Sequence, residues 1–326
     1  MEHTFRHISV PVFLLNHIGV LIVILCIGFS SVCTELLTMT LQPHSPQWRA
    51  VSGDDEGRTI QLDFALRLNS DTSIDIYRHT TKRWESINIH DNKPQRIDGW
   101  SVWKTQSHAD SGIVLQLVKD PTLWFAYIGF IIMMVGALLN IIHLWWRKSL
   151  APLFILLLAM GLLATYFITP RNEDNTLPSA LHSIWLIPHI STYICSYLCA
   201  GTAICVMLWA FICKLQKRPY DRLFLITEKC ACLALSFMTM GMAFGAFWAQ
   251  EAWGHYWNWD LKETWAAITW LMFATFIHLC KLHSIRKVVS SIVLVIAFCC
   301  MQMCWWGINY LPNAQQRSAH LYHVND

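Results

Sequence analysis

Seven long apolar segments dominate this sequence of 326 residues and restrict it to folds that a lipid bilayer can hold. A helix needs about 20 mainly apolar residues to cross the hydrocarbon core of a bilayer. The segments lie at about 9–31, 122–146, 150–169, 185–213, 225–248, 264–280 and 287–310. Only 14% of the residues are charged, whereas soluble domains carry about a quarter. We therefore expect an all-α polytopic membrane protein with about seven transmembrane helices.

The positions of the basic residues predict the orientation, because short loops rich in Lys and Arg stay on the cytoplasmic side. Three alternate loops carry them: Arg147 and Lys148; Lys214, Lys217, Arg218 and Arg222; and Lys281, Arg286 and Lys287. With these loops and the N-terminus inside, residues 32–121, the loop at 249–263 and the tail from about 311 lie outside. We expect the first segment to be an uncleaved anchor. A cleaved signal peptide, or a lipoprotein site at Cys33, is the alternative.

Residues 32–121 differ from the apolar segments and predict a small β domain outside the membrane. Apolar and polar residues alternate over 59–68, which is typical of a half-buried strand. The stretches 73–77 and 112–118 repeat this alternation more weakly, whereas 92–99 has the Pro, Asp and Gly residues of turns and loops. The domain is long enough for a modest sheet, and short of residues for a large core.

Charge and cysteine content exclude two other classes of protein. The formal net charge is +3 and no dense basic run is present, so nucleic acid is not an expected partner. Most of the 12 cysteines fall inside apolar segments, where a free thiol behaves as a small hydrophobic group. The sequence contains no C-x-x-C pair, so we expect neither a disulfide framework nor a c-type haem attachment site of its own.

The external loop at 248–265 is unusually rich in tryptophan. If this loop were helical, Trp253, Tyr256, Trp257 and Asp260 would share one face. Such a face would be a rigid aromatic surface on which a planar macrocycle stacks well. Asp260 and Glu263 would fix the loop through hydrogen bonds. An aromatic belt at the membrane surface is the alternative interpretation, but it does not readily explain tryptophans interleaved with Gly, Asn and acids.

The loop and its surroundings resemble a known family. The pattern W-A-x-E-x-W-G-x-Y-W-x-W-D-x-K-E-T-W, from Trp248 to Trp265, resembles the WWD signature of the CcsA (ResC) proteins of cytochrome c biogenesis. L-x-S-x-W-L-x-x-H ending at His189 resembles a second element of that family, and G-I-N followed by H-L-Y at 320–322 resembles a third. The resemblance covers about residues 150–326 and implies a haem-handling domain there.

The N-terminal part resembles the partner protein of that family. F-L-L-N-H-x-G, at 13–19, and L-V-K-D-P, at 117–121, are similar to elements of CcsB (ResB). The chain thus looks like a shortened CcsB-like part fused to a CcsA-like part. It divides into a first transmembrane helix at 1–31, an external β domain at 32–121, a second transmembrane helix at 122–149 and the CcsA-like domain at 150–326.

The resemblance implies two haem sites, because iron in haem is commonly held by imidazoles. His189 and His320 correspond to the paired external ligands, and both lie on the outer side in the predicted topology. His17 and His278 correspond to a pair inside the membrane, with His143 as an alternative to His17. The residues expected to position haem in the loop are Trp253, Tyr256, Trp257, Trp259, Asp260 and Glu263.

The resemblance also implies an activity, that of a holocytochrome c synthase or thioether-forming haem lyase. Haem b would be carried to the periplasmic face of a bacterial inner membrane and joined to the C-x-x-C-H motif of apocytochromes c. Implied partners are the apocytochrome, membrane lipid, a thiol reductant protein and a CcsB-like partner chain. The alternatives are a haem exporter or chaperone without ligase activity, a respiratory subunit with permanent b-type haems, and a scaffold for apocytochromes.

Overall fold

A computed structural model describes residues 10–43, 45–53, 57–70, 73–89, 94–108, 112–146, 183–281 and 287–310. Within these ranges six long helices form. They are α1 (Val10–Cys33), α2 (Leu123–Trp146), α3 (Leu186–Leu215), α4 (Asp221–Trp253), α5 (Leu261–Lys281) and α6 (Lys287–Trp305), and a short 3₁₀ turn follows at Gly307–Tyr310. The predicted segment at 150–169 lies outside the described residues, as do His283 and His320.

Five of these helices are long and apolar enough to cross a membrane, so the fold is that of a membrane protein. They are α1, α2, α3, α4 and α6. The predicted segment at 264–280 is helical as well, within α5, but α5 does not meet the same length and hydropathy criterion in the described chain. Its first turn carries Lys262 and Glu263 and its last turn His278 and Lys281, which lowers its apolar content.

The residues between α1 and α2 form one antiparallel sheet of eight strands. The strands are β1 (Glu35–Leu41), β2 (Gln47–Ser52), β3 (Thr59–Ser70), β4 (Ser73–Arg78), β5 (Arg83–Asn88), β6 (Gln95–Ile97), β7 (Trp100–His108) and β8 (Gly112–Lys119). Their order is β5-β4-β3-β2-β1-β8-β7-β6. The sheet curves into a half-barrel around a single apolar core.

The alternation predicted for β3 is confirmed, because Leu62, Phe64, Leu66 and Leu68 are all buried. The sequence interpretation of 92–99 as turn and loop missed β6, a strand of three residues at the edge of the sheet. So short a strand leaves no alternation to detect. The core is also larger than expected, since strands on both sides of β1 contribute to it.

Small residues set the closest helix contacts. Alanines and cysteines line the interface between α3 and α4, including Cys199, Ala203, Cys230 and Ala234. Such residues allow backbones to approach closely in a membrane, where packing drives helix association. All twelve cysteines are free thiols, as the sequence predicted.

Candidate functional site

Two histidines from the opposite ends of the described chain lie side by side. The imidazole of His17 in α1 and that of His278 in α5 have ring centroids 5.9 Å apart and ring planes at 76°. Imidazole nitrogens bind metals at about 2 Å, so rings on opposite sides of one iron have centroids roughly 6 Å apart. The observed separation therefore suits a single iron between them.

Both rings are oriented by the same kind of hydrogen bond. Nδ1 of His17 lies 2.8 Å from the carbonyl oxygen of Phe13, and Nδ1 of His278 lies 2.7 Å from that of Ala274. A carbonyl only accepts, so Nδ1 carries the hydrogen and Nε2 carries the lone pair. Metal-binding histidines are commonly fixed in this way. The alternative residue, His143, lies exposed in the last turn of α2.

The ring of His189 lies against α4, in a recess left by the missing side chain of Gly245. Its Nδ1 donates to the carbonyl oxygen of Gly241 at 2.8 Å, so Nε2 again carries the lone pair. A Cβ atom on Gly245 would lie only 2.7 Å from ring atoms Nδ1 and Cε1. The ring also contacts Trp248, with centroids 5.6 Å apart. The side chain that packs against Gly245 is therefore the candidate haem ligand.

The middle of the Trp-rich loop, residues 254–260, is not helical, so the predicted common face is wrong. Helix α4 ends at Trp253, and Gly254 adopts a left-handed conformation with φ of +82°. Residues 255–260 then follow an irregular path. Glycine enters this region readily because it has no Cβ, and Gly254 is the physical reason that the helical spacing breaks.

The aromatic side chains of the loop point in different directions. Tyr256 is only 2% exposed and packs inward against Phe130 of α2. Trp259 is 57% exposed, and its ring lies edge-on to Trp257 at a centroid distance of 5.7 Å. Trp253 contacts Trp248 in a similar edge geometry at 4.8 Å. Tyr256 thus anchors the loop, Trp257 is half-buried against the same apolar cluster, and Trp259 lies on the outer surface.

Asp260 and Glu263 fix the loop by capping α5. Oδ1 of Asp260 accepts from the backbone N–H of Glu263 at 2.7 Å. Oε2 of Glu263 accepts from the backbone N–H groups of Asp260 at 3.3 Å and Asn258 at 2.8 Å. This reciprocal arrangement is a capping box. The two carboxylates thus hold the loop through its own backbone amides.

Glu251 connects the loop to the residues just before α3 and to the β domain, a role that the sequence did not indicate. Its carboxylate accepts from the Trp185 indole N–H at 3.0 Å and from the Ser183 hydroxyl at 2.7 Å. Its backbone carbonyl accepts from the indole N–H of Trp103 in β7 at 3.1 Å. Trp103 also closes over Gly254, where an added Cβ would lie 3.2 Å from its ring. The β domain therefore packs directly on the loop.

An apolar cavity of about 580 Å³ lies between α2 and α4, next to Trp185, the residue before α3. Its lining includes Tyr127 and Met134 of α2 and Phe247 of α4, with Trp185 and the Glu251 carboxylate among the lining groups. His189 lies one helical turn after Trp185, and its backbone N–H donates to the Trp185 carbonyl oxygen. The cavity is thus close to the recess that holds His189.

Comparison with known proteins shows that the chain is similar to proteins of cytochrome c assembly and biogenesis. A family model described as "Cytochrome C assembly protein" matches residues 124–314. Proteins called "Cytochrome c biogenesis protein CcsA" from Solanum bulbocastanum and Solanum tuberosum are 31% identical over 192 residues, which is 48% of this chain and 61% of each relative. The CcsA protein of Trachelium caeruleum is 32% identical over 192 residues, 46% of this chain and 61% of the relative. The chain therefore spans about three fifths of the length of these relatives.

Proposed function

This chain belongs to the cytochrome c assembly protein family, and from that premise we propose that it carries haem b across a bacterial inner membrane and attaches it to apocytochromes c. A role in cytochrome c biogenesis and haem handling follows from the family match and from the CcsA relatives. The observation that best supports haem as the substrate is the pairing of His17 with His278 at 5.9 Å.

The inner station is the His17–His278 pair. Haem would be held with one imidazole on each face of the iron, through the two Nε2 atoms. Neither ring has to change its tautomer, because the Phe13 and Ala274 carbonyl oxygens already hold the hydrogens on Nδ1. His17 belongs to the CcsB-like motif, and that N-terminal resemblance is part of the proposal.

The outer station is the Trp-rich loop, with His189 and His320 as iron ligands. His189 lies against Trp248, which contacts Trp253 in turn, so the proposed ligand adjoins the aromatic surface. The edge-on pair Trp257 and Trp259 would contact the macrocycle. The loop packs on the β sheet that joins the end of α1 to the start of α2, which places both on one side of the helices. We propose that this side is periplasmic.

The attachment step adds two thiols of the apocytochrome to the two vinyl groups of haem. Each addition forms one carbon–sulfur bond, and the thiol hydrogen ends on the other vinyl carbon. The client histidine would replace one axial ligand of the outer site. The protein contributes position and orientation, which make a bound pair react far faster than free partners. A thiol reductant protein, a CcsB-like partner chain and membrane lipid complete the proposed set of partners.

The test is to express the chain with an apocytochrome c in bacteria that lack their own maturation genes, and to measure covalent haem in the cytochrome. We expect attachment with the wild-type chain, and its loss with His189→Ala or His320→Ala. His79→Ala, in an exposed turn of the β domain, is the control and should retain wild-type attachment. Wild-type attachment in both the His189 and His320 variants would overturn the outer-site assignment.

A visible spectrum of the purified chain separates the alternative functions. A haem exporter or chaperone would carry haem but give no thioether product. A respiratory subunit would retain its haem during client expression, and a scaffold would purify without haem. Loss of the haem spectrum in His17→Ala and His278→Ala, with His143→Ala unchanged, would support the inner pair.

A further inference from the structure

A polar cluster at the outer end of α1 joins three separate segments of the chain. Asp120 lies between β8 and α2, and its carboxylate accepts hydrogen bonds from the backbone N–H and the hydroxyl of Thr122, both at 2.7 Å. Ser30 of α1 donates to the same carboxylate at 2.8 Å. The Thr122 hydroxyl lies 2.9 Å from the Tyr256 hydroxyl in the Trp-rich loop. We call Ser30, Asp120, Thr122 and Tyr256 the Asp120 network.

The hydrogen bonds of this network run in one direction. A hydroxyl group has a single hydrogen, and Thr122 gives its hydrogen to Asp120. Tyr256 must therefore be the donor in its bond to Thr122. Ser30 likewise gives its hydrogen to Asp120 and accepts from Thr34 at 3.0 Å. The Ser30 and Thr122 hydroxyls thus donate to one carboxylate, and Tyr256 is connected to it through Thr122.

The environment of Tyr256 keeps it a donor. Its ring packs in an apolar cluster that includes Phe130 of α2 and Val23 of α1. Burial raises the pKa of the Tyr256 hydroxyl and Asp120 adds to the rise, although the nearby Thr122 and Ser30 hydroxyls act in the opposite sense. The phenol therefore stays protonated at neutral pH and holds its bond to Thr122.

We propose that Asp120 is a positioning residue for the Trp-rich loop, acting through Thr122 and Tyr256. This inference rests on the proposed function of the loop as the outer haem site. Asp260 and Glu263 fix the end of the loop that leads into α5, and Tyr256 fixes its middle. Trp257 and Trp259 lie between these two anchors. Asp120 thereby sets the position of the indoles without contacting the substrate.

Hydrogen–deuterium exchange of the full-length, haem-free chain in detergent tests this proposal directly. We expect Asp120→Ala to speed amide exchange at residues 255–260 by about 10-fold or more, since it removes hydrogen bonds to a charged group. Asp120→Asn should have a smaller effect, because its amide keeps one acceptor oxygen. The matched control is Asp98→Asn, at an exposed Asp paired with Arg78, and it should leave the loop unchanged.

Two further variants separate the relay from general destabilisation. Thr122→Val removes the relay hydroxyl but leaves Asp120 its bonds to the Thr122 backbone N–H and to Ser30. Tyr256→Phe removes the other end of the relay. We expect both variants to speed amide exchange at 255–260. The double variant Asp120→Ala with Tyr256→Phe should exchange only slightly faster than either single variant, because the two residues act through one relay. Wild-type loop exchange in Thr122→Val, or fully additive effects in the double variant, would overturn the proposal.

The reaction itself supplies a readout that a purely structural role would leave unchanged. We expect Asp120→Ala to lower covalent haem attachment at saturating haem about 10-fold while the His17–His278 haem spectrum is retained. Asp120→Asn should restore part of the rate. If exchange changes as expected but wild-type protein attaches no haem, the proposed function fails while the role of Asp120 stands. If attachment is normal in Asp120→Ala, the positioning role fails.

Discussion

Gly245 leaves the space that the His189 imidazole occupies. A methyl group there would meet the ring at 2.7 Å, closer than real Cβ contacts allow, and the ring would have to move. The ring could not move without stretching its 2.8 Å hydrogen bond to the Gly241 carbonyl oxygen. One missing side chain on α4 therefore determines where the proposed ligand nitrogen of α3 points.

We expect Gly245→Ala to lower covalent haem attachment about 100-fold, since a shift of about 1 Å in a positioned group can have that effect. Coexpression with an apocytochrome c measures this. Gly201→Ala is the matched control, because Gly201 also lies inside a helix and a Cβ there meets nothing within 4 Å. Equal attachment by the two alanine variants would show that the recess does not orient His189.

His255 is the histidine inside the loop. Burial lowers its pKa below the usual value, and the nearby Asp120 carboxylate offsets part of this shift. The unfolded chain therefore binds a proton more readily than the folded chain does. By linkage, this residue destabilises the fold as the pH falls through the usual histidine pKa of about 6.5 toward the folded value.

We expect the melting temperature in detergent to fall between pH 7.5 and pH 5.5 and His255→Gln to reduce that fall. Calorimetry or light scattering at each pH measures it. His79→Gln, at an exposed position, is the control and should leave the pH dependence unchanged. The same pH dependence in wild-type protein and His255→Gln would contradict the expected linkage.

At the scale of single elements, the start of α5 depends on its capping box. Glu263 accepts hydrogen bonds from two backbone N–H groups, of Asn258 and Asp260, that come just before the first turn of the helix. We expect Glu263→Ala to lower the free energy of unfolding by about 1 kcal/mol and to speed exchange at 258–260. Glu263→Gln keeps an acceptor oxygen, so its free energy of unfolding should lie between those of the wild-type protein and Glu263→Ala. Unchanged exchange at 258–260 in Glu263→Ala would show that the box is not needed.

Helices α1 and α2 cross closely because of glycine. A Cβ on Gly19 would lie 2.9 Å from the backbone nitrogen of Met133, and one on Gly136 would lie 2.4 Å from Oδ1 of Asn16. His17 follows Asn16 directly, so this crossing fixes the rotation of α1 that directs His17 to His278.

We expect Gly19→Leu to separate α1 from α2 and to reduce haem retained at the inner pair. Soret absorbance per mole of purified protein measures the retained haem. Gly28→Leu, on the same helix, is the control, because a Cβ there meets nothing within 4 Å. Equal haem content in the two leucine variants would show that the crossing of α1 and α2 does not orient His17 for haem binding.

The sequence predicts those features whose causes lie close together along the chain. The alternation over β3 and the length of five of the apolar segments are such features, and both led to correct elements. The recess for His189 could not be predicted in this way. It brings together His189 and Gly241, which are 52 positions apart, through the angle at which α3 and α4 cross. The helical interpretation of the loop was wrong because Gly254 is left-handed and ends α4, and Trp259 is left-handed as well.

At the scale of the molecule, the β domain and the helical part share one interface at the loop. Trp103 of β7 donates to the Glu251 carbonyl oxygen and covers Gly254. We expect Trp103→Phe, which removes the N–H and part of the ring, to lower the free energy of unfolding by about 1 kcal/mol or more and to expose the loop to protease. Trp48→Phe is the control, at a Trp that is 44% exposed. Identical cleavage of both variants would contradict a shared interface.

The many anchors of the loop also affect the entropy of binding. A flexible loop that orders around its ligand loses conformational freedom at that moment, and its affinity falls accordingly. Here the bonds from Trp103 to Glu251 and from Tyr256 to Thr122 order the backbone during folding instead. A planar substrate therefore meets a preorganised surface, and its affinity should depend little on loop rearrangement. Calorimetry of haem binding would then show a smaller entropic penalty than that of an unanchored loop of the same composition.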